Sequence, residues 1–189
     1  GGLLFLLPIC IILTYFTYQQ LARSIEGIGA WQDGATNVVD PSGGTEPQRL
    51  GTRFITATLL PVLQVSPQLG RNFIPDEDRP NGPGAVIISD GLWRSRFGAD
   101  PGVLSRTLEI NGRSRQIVGV MPAGFSFGSP ETQLWMPMGF DPNAAFTGGF
   151  SYDAVARLKP GVSMEGAEGE VISVLPRVGE VAPVMGPGG

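Results

Sequence analysis

The dipeptide Asn111-Gly112 constrains the fold of this chain more than any other feature. It separates two runs, Thr107 to Ile110 and Ser114 to Val120, in which apolar and polar residues alternate. A type I′ turn needs φ > 0 at both central positions, which Asn and Gly tolerate, so the pair predicts a β-hairpin. Upstream, Ala85-Val86-Ile87-Ile88 is a short apolar run rich in β-branched residues, bounded by Pro83-Gly84 and Ser89-Asp90-Gly91. That is the pattern of a buried strand. Asp90 is expected to cap a short helix over Leu92 to Phe97, closed by Gly98. Gly84 to Pro122 therefore predicts a strand, a short helix and a hairpin in succession.

The rest of the composition agrees with a turn-rich chain. Among 189 residues there are 28 Gly and 17 Pro, apolar residues make up 42% and charged residues only 16%. Such a chain can bury a core as one domain or two small ones, and its Gly and Pro content disfavours a helical bundle. The net charge of −4 leaves no basic stripe for nucleic acid. Arg94, Arg96 and Arg106 are expected on a solvated face. With no histidine and a single cysteine, Cys10, the chain has no zinc spacing, no internal disulfide and no His to activate a Ser or Cys nucleophile.

Other segments give weaker signals. Gly1 to Leu13 is nearly all apolar and uncharged. A membrane-spanning helix needs about 20 such residues, and this run is shorter even when extended to Phe16. A signal peptide would show a basic start and a small-residue cleavage site. For residues 1–16 three readings stay open: a transmembrane helix whose start is missing, a buried apolar segment or aberrant gene start, and a signal remnant. Tyr18, Leu21, Ile25 and Ile28 make one helical stripe, ended by Gly27 and Gly29 ahead of Trp31, a candidate core anchor. Asp40 to Pro47 predicts a loop and Gln48 to Thr56 a strand, with Leu50 and Phe54 on one face and Arg49 and Arg53 on the other. Thr58 to Val65 predicts a short helix or turn broken by Pro61.

Asp76-Glu77-Asp78 lacks the alternation and central Gly of an EF-hand loop, so it predicts a solvated turn with a capping role. Phe125 to Phe127 and Leu134 to Met138 predict short extended segments with Phe127 and Trp135 in the core. Asp141 to Gly149 predicts a hinge. Tyr152 to Leu158 predicts a strand and Lys159-Pro160-Gly161 a turn. Ser163 then caps a helix with the stripe Met164, Ala167, Val171 and Val174, weakened by Gly166 and Gly169. The order of elements points to an α+β fold of two lobes, the second inserted between Pro61 and Gly149.

Several pieces in order resemble the MacB-like periplasmic core domain of bacterial ABC-transporter permeases, especially the large permeases of soil bacteria. They are Leu69-Gly70-Arg71-x-Phe73, Asp76-Glu77-Asp78, Val86-Ile87-Ile88-Ser89, Gly91-Leu92-Trp93, Arg96-Phe97-Gly98, Asp100-Pro101, Leu108-x-Ile110-Asn111-Gly112 and Val118-Gly119-Val120-Met121-Pro122. Weaker similarity runs from Tyr15 to Phe73 and from Leu134 to Val162. The resemblance implies a porter-like α/β sandwich lobe, residues 17–60 and 150–189, interrupted by a smaller β-rich lobe at 61–149. It also implies a domain held outside the bacterial cytoplasmic membrane, facing the periplasm or exterior. Its partners there would be an ABC ATPase subunit or domain, reached through membrane helices, and a periplasmic adaptor or second permease. The family normally places a spacer between its first membrane helix and first soluble helix, and here that spacer is missing or very short.

No G-x-x-x-x-G-K-[ST] loop occurs, so ATP hydrolysis belongs elsewhere and this chain is expected to be non-enzymatic, without cofactor or metal. The positions expected to matter are structural: Gly70, Arg71, Trp93, Asn111, Gly112 and Trp135. The alternative is a free-standing envelope module that binds a protein or glycan through its β-rich lobe. A third class, a hydrolase using Asp76, Glu77, Asp78 or Asp90, needs two carboxylates at a defined separation across a cleft.

Overall fold

A computed structural model describes residues 4–9, 12–41, 43, 46–127, 129–141 and 152–177. In chain order its elements are β1 (Leu4–Ile9), α1 (Ile12–Leu21), β2 (Ile25–Val39), β3 (Gln48–Ile55), α2 (Leu59–Leu63), β4 (Leu69–Gly70), β5 (Ala85–Ile88), α3 (Asp90–Phe97), β6 (Thr107–Ile110), β7 (Arg113–Val120), β8 (Leu134–Pro137), β9 (Tyr152–Leu158) and α4 (Met164–Val174). Three 3₁₀ turns, Pro75–Asp78, Pro101–Ser105 and Leu175–Arg177, complete the set. The fold is α+β, and the chain divides into two units: residues 1–30 with 140–189, and residues 31–139.

The first unit brings the two ends of the chain together. β1 runs antiparallel to β9, from Leu4 opposite Arg157 to Ile9 opposite Tyr152, and β9 neighbours the start of β2. Ala154, Val155, Ala156 and Leu158 are buried in β9, and Tyr15, Tyr18, Ile25, Ile28, Ala167, Val171 and Val174 join them in the core. Ser163 caps α4 by accepting from the Gly166 N–H at 3.1 Å. The apolar N-terminal run is shared between a strand and the start of a helix, and no helix among the described residues is long and apolar enough to cross a membrane.

The helical stripe expected to reach Ile28 stops at Leu21, and Ile25 begins a strand. The cause is non-local. The Ala22 N–H still bonds the Tyr18 carbonyl, but the next two N–H groups, of Arg23 and Ser24, donate to the Glu170 carboxylate at 2.8 Å each. The Ser24 hydroxyl bonds the same carboxylate. Burial pushes the Glu170 carboxyl up, but these hydrogen bonds and the Arg23 charge hold it below the ordinary glutamate range. A lowered carboxylate pKa contributes stability that is present above the unfolded value and lost as pH falls through the folded one. Glu170→Gln is therefore expected to cost about 1–2 kcal/mol at neutral pH, and to flatten the loss of melting temperature of the wild type below about pH 5. Equal acid sensitivity in wild type and variant would rule out this tie.

A second prediction arises in α4. Gly169 lies in the helix interior, and a Cβ added there meets no atom within 4 Å. Gly169→Ala should therefore stabilise the chain by about 0.5–1 kcal/mol, through helix propensity alone. An unchanged or lower urea midpoint would contradict that placement.

In the second unit the strand pairings close a ring. β2 pairs antiparallel with β3, β3 parallel with β8, β8 antiparallel with β5, β5 parallel with β7, β7 antiparallel with β6, and β6 antiparallel with Val38 and Val39 at the end of β2. Closure of this kind removes open sheet edges, and β4 adds a short strand to β7. The core includes Val38, Leu50, Val86, Ile88, Leu108, Ile110, Ile117, Leu134 and Met136, sealed by Leu92 and Phe97 of α3. Leu108 and Ile110 are buried while Thr107 and Glu109 are exposed, the alternation seen in the sequence. The hairpin turn has φ 51° at Asn111 and 76° at Gly112. Asn111 is also tied to β2, its N–H donating to the Asn37 carbonyl at 2.9 Å and its Oδ1 accepting from the Asn37 N–H at 3.1 Å.

Two local expectations are corrected here. Ser89, not Asp90, caps α3: its hydroxyl accepts from the Leu92 N–H at 3.0 Å, and Asp90 is the first helical residue. Phe125 to Phe127 is irregular chain without strand pairing: the Phe125 N–H closes a turn on the Pro122 carbonyl at 3.1 Å, and the two aromatic rings pack on Trp135 and Trp31. The hinge expected at Asp141 to Gly149 lies, apart from Asp141, outside the described residues.

Candidate functional site

The sequence signatures of the second unit fit together. Gly70 of β4 stands opposite Gly119 of β7, so the Leu-Gly-Arg piece and the Val-Gly-Val-Met-Pro piece meet backbone to backbone. Gly70 has φ 79°, and a Cβ there would run into the Val118 carbonyl oxygen and lie 2.9 Å from both the Gly119 Cα and the Leu104 side chain. A Cβ on Gly119 would in turn lie 2.6 Å from the Arg71 carbonyl oxygen. Only two glycines permit this approach.

Arg71 then reaches the acidic turn. Its guanidinium grips Glu77 with both nitrogens, at 2.7 and 3.0 Å, and donates to the Asn72 carbonyl. Glu77 also accepts from the Ile74 N–H and is 5% exposed, against 49% for Arg71. Burial pushes the Glu77 carboxyl up, but Arg71 and the Ile74 N–H together hold it below the ordinary range. Asp78 accepts from the Ala57 N–H at 2.7 Å and the Gly139 N–H at 2.9 Å, tying the ends of the parallel strands β3 and β8 together. Burial leaves its carboxyl raised, with these N–H groups opposing. The expectation of a solvated turn is thus corrected for two of the three carboxylates, because neighbouring segments supply their donors. Asp76 alone is exposed, 3.8 Å from Arg79.

Beside the N-terminus of α3 lies a groove of about 350 Å³. Its floor includes Leu92, Met121 and Trp135, its rim Pro122, Gly124 and Pro130, and its polar groups Ser89, Asp90, Thr132 and Gln133. Phe125 stands against Trp135 with ring centroids 5.8 Å apart. The Gln68 side chain fastens one edge, its Nε2 donating to Asp90 at 2.7 Å and to the Met121 carbonyl at 2.8 Å. Hydrogen bonds from Arg94 and Gln68 hold the Asp90 carboxyl below its usual range. Behind the groove, Arg53 is 1% exposed. Its guanidinium grips Asp33 at 2.6 and 2.8 Å, donates to the Phe127 carbonyl, and lies 6.0 and 5.5 Å from the Trp31 and Phe127 rings.

The six residues singled out from sequence are placed as follows. Gly70 and Arg71 form the approach just described. Asn111 and Gly112 form the hairpin turn. Trp93 is half-buried, and its Nε1 donates to the Asp100 carbonyl at 2.8 Å, joining two further signatures. Trp135 is buried under the groove. The arginine trio has three separate settings, not one face: Arg94 with Asp90 at 2.8 Å, Arg96 with Gln48, and Arg106 with Asp40 and the Phe97 ring. Sequence reasoning missed Arg53, Gln68, Asp78 in its bridging role and Glu170, since each acts on a backbone group far away in the chain.

The Ser89 hydroxyl is spent on the helix cap, and Glu77, Asp78 and Asp90 are each engaged by the partners above. Among the described residues no group of His, Cys, Asp or Glu could hold a metal ion.

Comparison with known proteins agrees with this picture. A model of the MacB-like periplasmic core domain matches residues 13–174. Among solved structures, the periplasmic region of MacB from Actinobacillus actinomycetemcomitans superposes with a TM-score of 0.68 at 16% identity, over 93% of this chain and 78% of that one. The extracellular domain of the noncanonic ABC-type transporter YknZ from Gram-positive bacteria gives 0.64 at 15% identity, over 92% and 85%. A domain of a putative permease protein from Porphyromonas gingivalis gives 0.62 at 20% identity, over 85% and 68%. No curated protein matches the chain. The family match and the shared fold agree with signatures that support one another inside a closed β-unit, and the chain belongs to the family of MacB-like periplasmic core domains of ABC transporter permeases.

Proposed function

We propose that this domain passes the motion of a permease's membrane helices to a substrate or a partner protein outside the cytoplasmic membrane. ATP hydrolysis is supplied by a separate ABC ATPase subunit or domain, and a periplasmic adaptor or a second permease is the partner class. In this reading the β-rich lobe, expected at 61–149, is taken as the unit at 31–139, and the porter-like lobe, expected at 17–60 and 150–189, as the unit built from residues 1–30 and 140–189. The observation that carries the reading is the family match over residues 13–174, supported by a ring of strands stitched by Gly70, Arg71, Glu77 and Asp78. Such a body is suited to being moved as one piece, a two-state element biased by events elsewhere.

The test is to express the complete reading frame with a tag in a bacterial host. The product should fractionate with the cytoplasmic membrane and be cut within the domain by protease added outside. Replacing residues 31–139 by a short Gly/Ser linker should then abolish transport by the reconstituted permease while leaving basal ATP hydrolysis of its ATPase intact. A product recovered wholly in soluble form would sink the permease reading. It would favour a free-standing envelope module that binds through the groove beside α3, whose apolar floor and polar groups fit a protein or glycan ligand.

A further inference from the structure

Trp135 carries a polar group that the fold leaves unused. The residue is 3% exposed and lines the groove beside α3. Among the described residues no acceptor meets its indole N–H, yet that nitrogen is not sealed from solvent, so it opens on the groove. A buried Trp N–H usually finds a partner, and a buried donor left unmade is costly. A second unused donor borders the same groove, in the first turn of α3. Ser89 takes the N–H groups of Leu92 and Trp93, but the Gly91 N–H has no acceptor among the described residues. The opposite rim is fixed by its main chain. The Gln133 N–H donates to the Gly51 carbonyl, and the Gln133 carbonyl accepts from the Ser89 N–H, both at 2.9 Å.

These donors call for an oxygen acceptor, and the surroundings decide what carries it. Asp90 is the one charged residue lining the groove among the described residues, so a carboxylate or phosphate ligand is repelled. Leu92, Met121, Pro122 and Phe125 supply apolar contact. A sugar ring packs flat on an open aromatic face, but the Trp135 ring is buried and Phe125 is tilted against it at 56°. A neutral carbonyl beside an apolar side chain is the repeating chemistry of a peptide. We propose that the groove beside α3 binds an extended segment of a partner protein, apolar and free of acidic residues, whose carbonyl oxygens accept from Trp135 Nε1 and the Gly91 N–H. The volume of about 350 Å³ is near the lower end of ligand sites, about 300–1,000 Å³, which suits a short segment. A basic residue beside that segment meets Asp90. The Asp90 carboxylate is shared with Arg94 and Gln68, so this preference is modest. The inference narrows the ligand of the groove and does not rest on the permease reading.

The test is NMR of the ¹⁵N-labelled chain, with the Trp135 indole signal identified by its loss in Trp135→Phe. The probes are capped tripeptides, acetylated and amidated, built from Leu, Phe, Pro, Lys and Glu and added to about 10 mM. The expected result is a saturable shift of the Trp135 indole signal with apolar members, tighter by about threefold when they carry Lys instead of Glu. Asp90→Asn should erase that preference. Trp135→Phe, read from the Gly91 and Gln133 amide signals, should weaken binding about tenfold. Gly91→Leu keeps the fold, because an added Cβ meets only the Ser89 Oγ at 3.9 Å, and it should abolish binding by filling the mouth. A Trp135 signal that no tripeptide moves would overturn the proposal, as would binding indifferent to Gly91→Leu or as tight for Glu members as for Lys members. Cellobiose moving the signal where no tripeptide does would assign the groove to a glycan instead. None of these outcomes alters membrane fractionation of the full product, so this inference and the permease reading fail separately.

Discussion

Gly70→Ala should be the most damaging single-methyl change in the second unit, costing at least about 4 kcal/mol. Two effects add. At φ 79° an L side chain is strained by about 1–2 kcal/mol. In addition the new Cβ would collide with the Val118 carbonyl oxygen and press on the Gly119 Cα and the Leu104 side chain, and backbone atoms in a paired strand cannot step aside. Stabilities of about 5–15 kcal/mol leave little after such a loss, so most of the purified variant should unfold at urea concentrations the wild type tolerates. Gly112→Val is the control. Gly112 has a similar φ of 76°, but a Cβ there meets nothing within 4 Å. Its cost is backbone strain alone, about 1–3 kcal/mol, enough to loosen the hairpin but not to unfold the unit. If the two variants lower the urea midpoint equally, Gly70 and Gly119 do not stand opposite each other as described.

The contrast shows what one sequence can and cannot reveal. Asn111-Gly112 was legible because its constraint is local: two residues that tolerate φ > 0 between two alternating runs. The same is true of β5, of the strand over Tyr152 to Leu158, of the Ser163 cap and of the α4 stripe at Ala167, Val171 and Val174, although Met164, expected on that stripe, is 40% exposed. Gly70 could be marked as a position that matters but not explained, because its reason is Gly119, brought opposite by an added strand. The parallel pairing of β3 with β8 and the contact of β6 with the end of β2, which close the ring, leave no trace in periodicity. The helix that ends at Leu21 was overextended for the same cause. Tyr18, Leu21, Ile25 and Ile28 fit a helical stripe well, and the competing claim on the backbone comes from Glu170, at the other end of the chain. The acidic turn looked solvated because its donors, Arg71 apart, are backbone N–H groups that no side-chain pattern announces. The groove was not legible at all, since its walls come from three separate segments.

Arg53 is the residue sequence reasoning underrated most, and Arg53→Met should cost about 2–4 kcal/mol. An arginine in a strand opposite Leu50 and Phe54 in the alternation suggests an outward, solvated cation. Instead it is 1% exposed, held between Asp33, the Phe127 carbonyl and two aromatic rings. Methionine keeps most of the apolar stem but none of the fork, so the substitution isolates the polar and cation–π contributions. Asp33 is 53% exposed, so losing Arg53 strands no buried charge, which keeps the cost below that of breaking a fully buried pair. Asp33→Asn leaves the buried Arg53 cation without its counter-charge, but the new amide oxygen and the Phe127 carbonyl still accept from the guanidinium, so it should cost less, about 1–2 kcal/mol. Because Arg53 fastens Phe127, while Phe125 and Ser126 two and one residues earlier line the groove, Arg53→Met should also speed amide hydrogen exchange across residues 123–127, with little change in α3. Asp33→Asn proving as costly as Arg53→Met would mean that the ion pair, not the clamp on the loop, holds this corner of the fold. Unchanged exchange at 123–127 would separate Arg53 from the groove altogether.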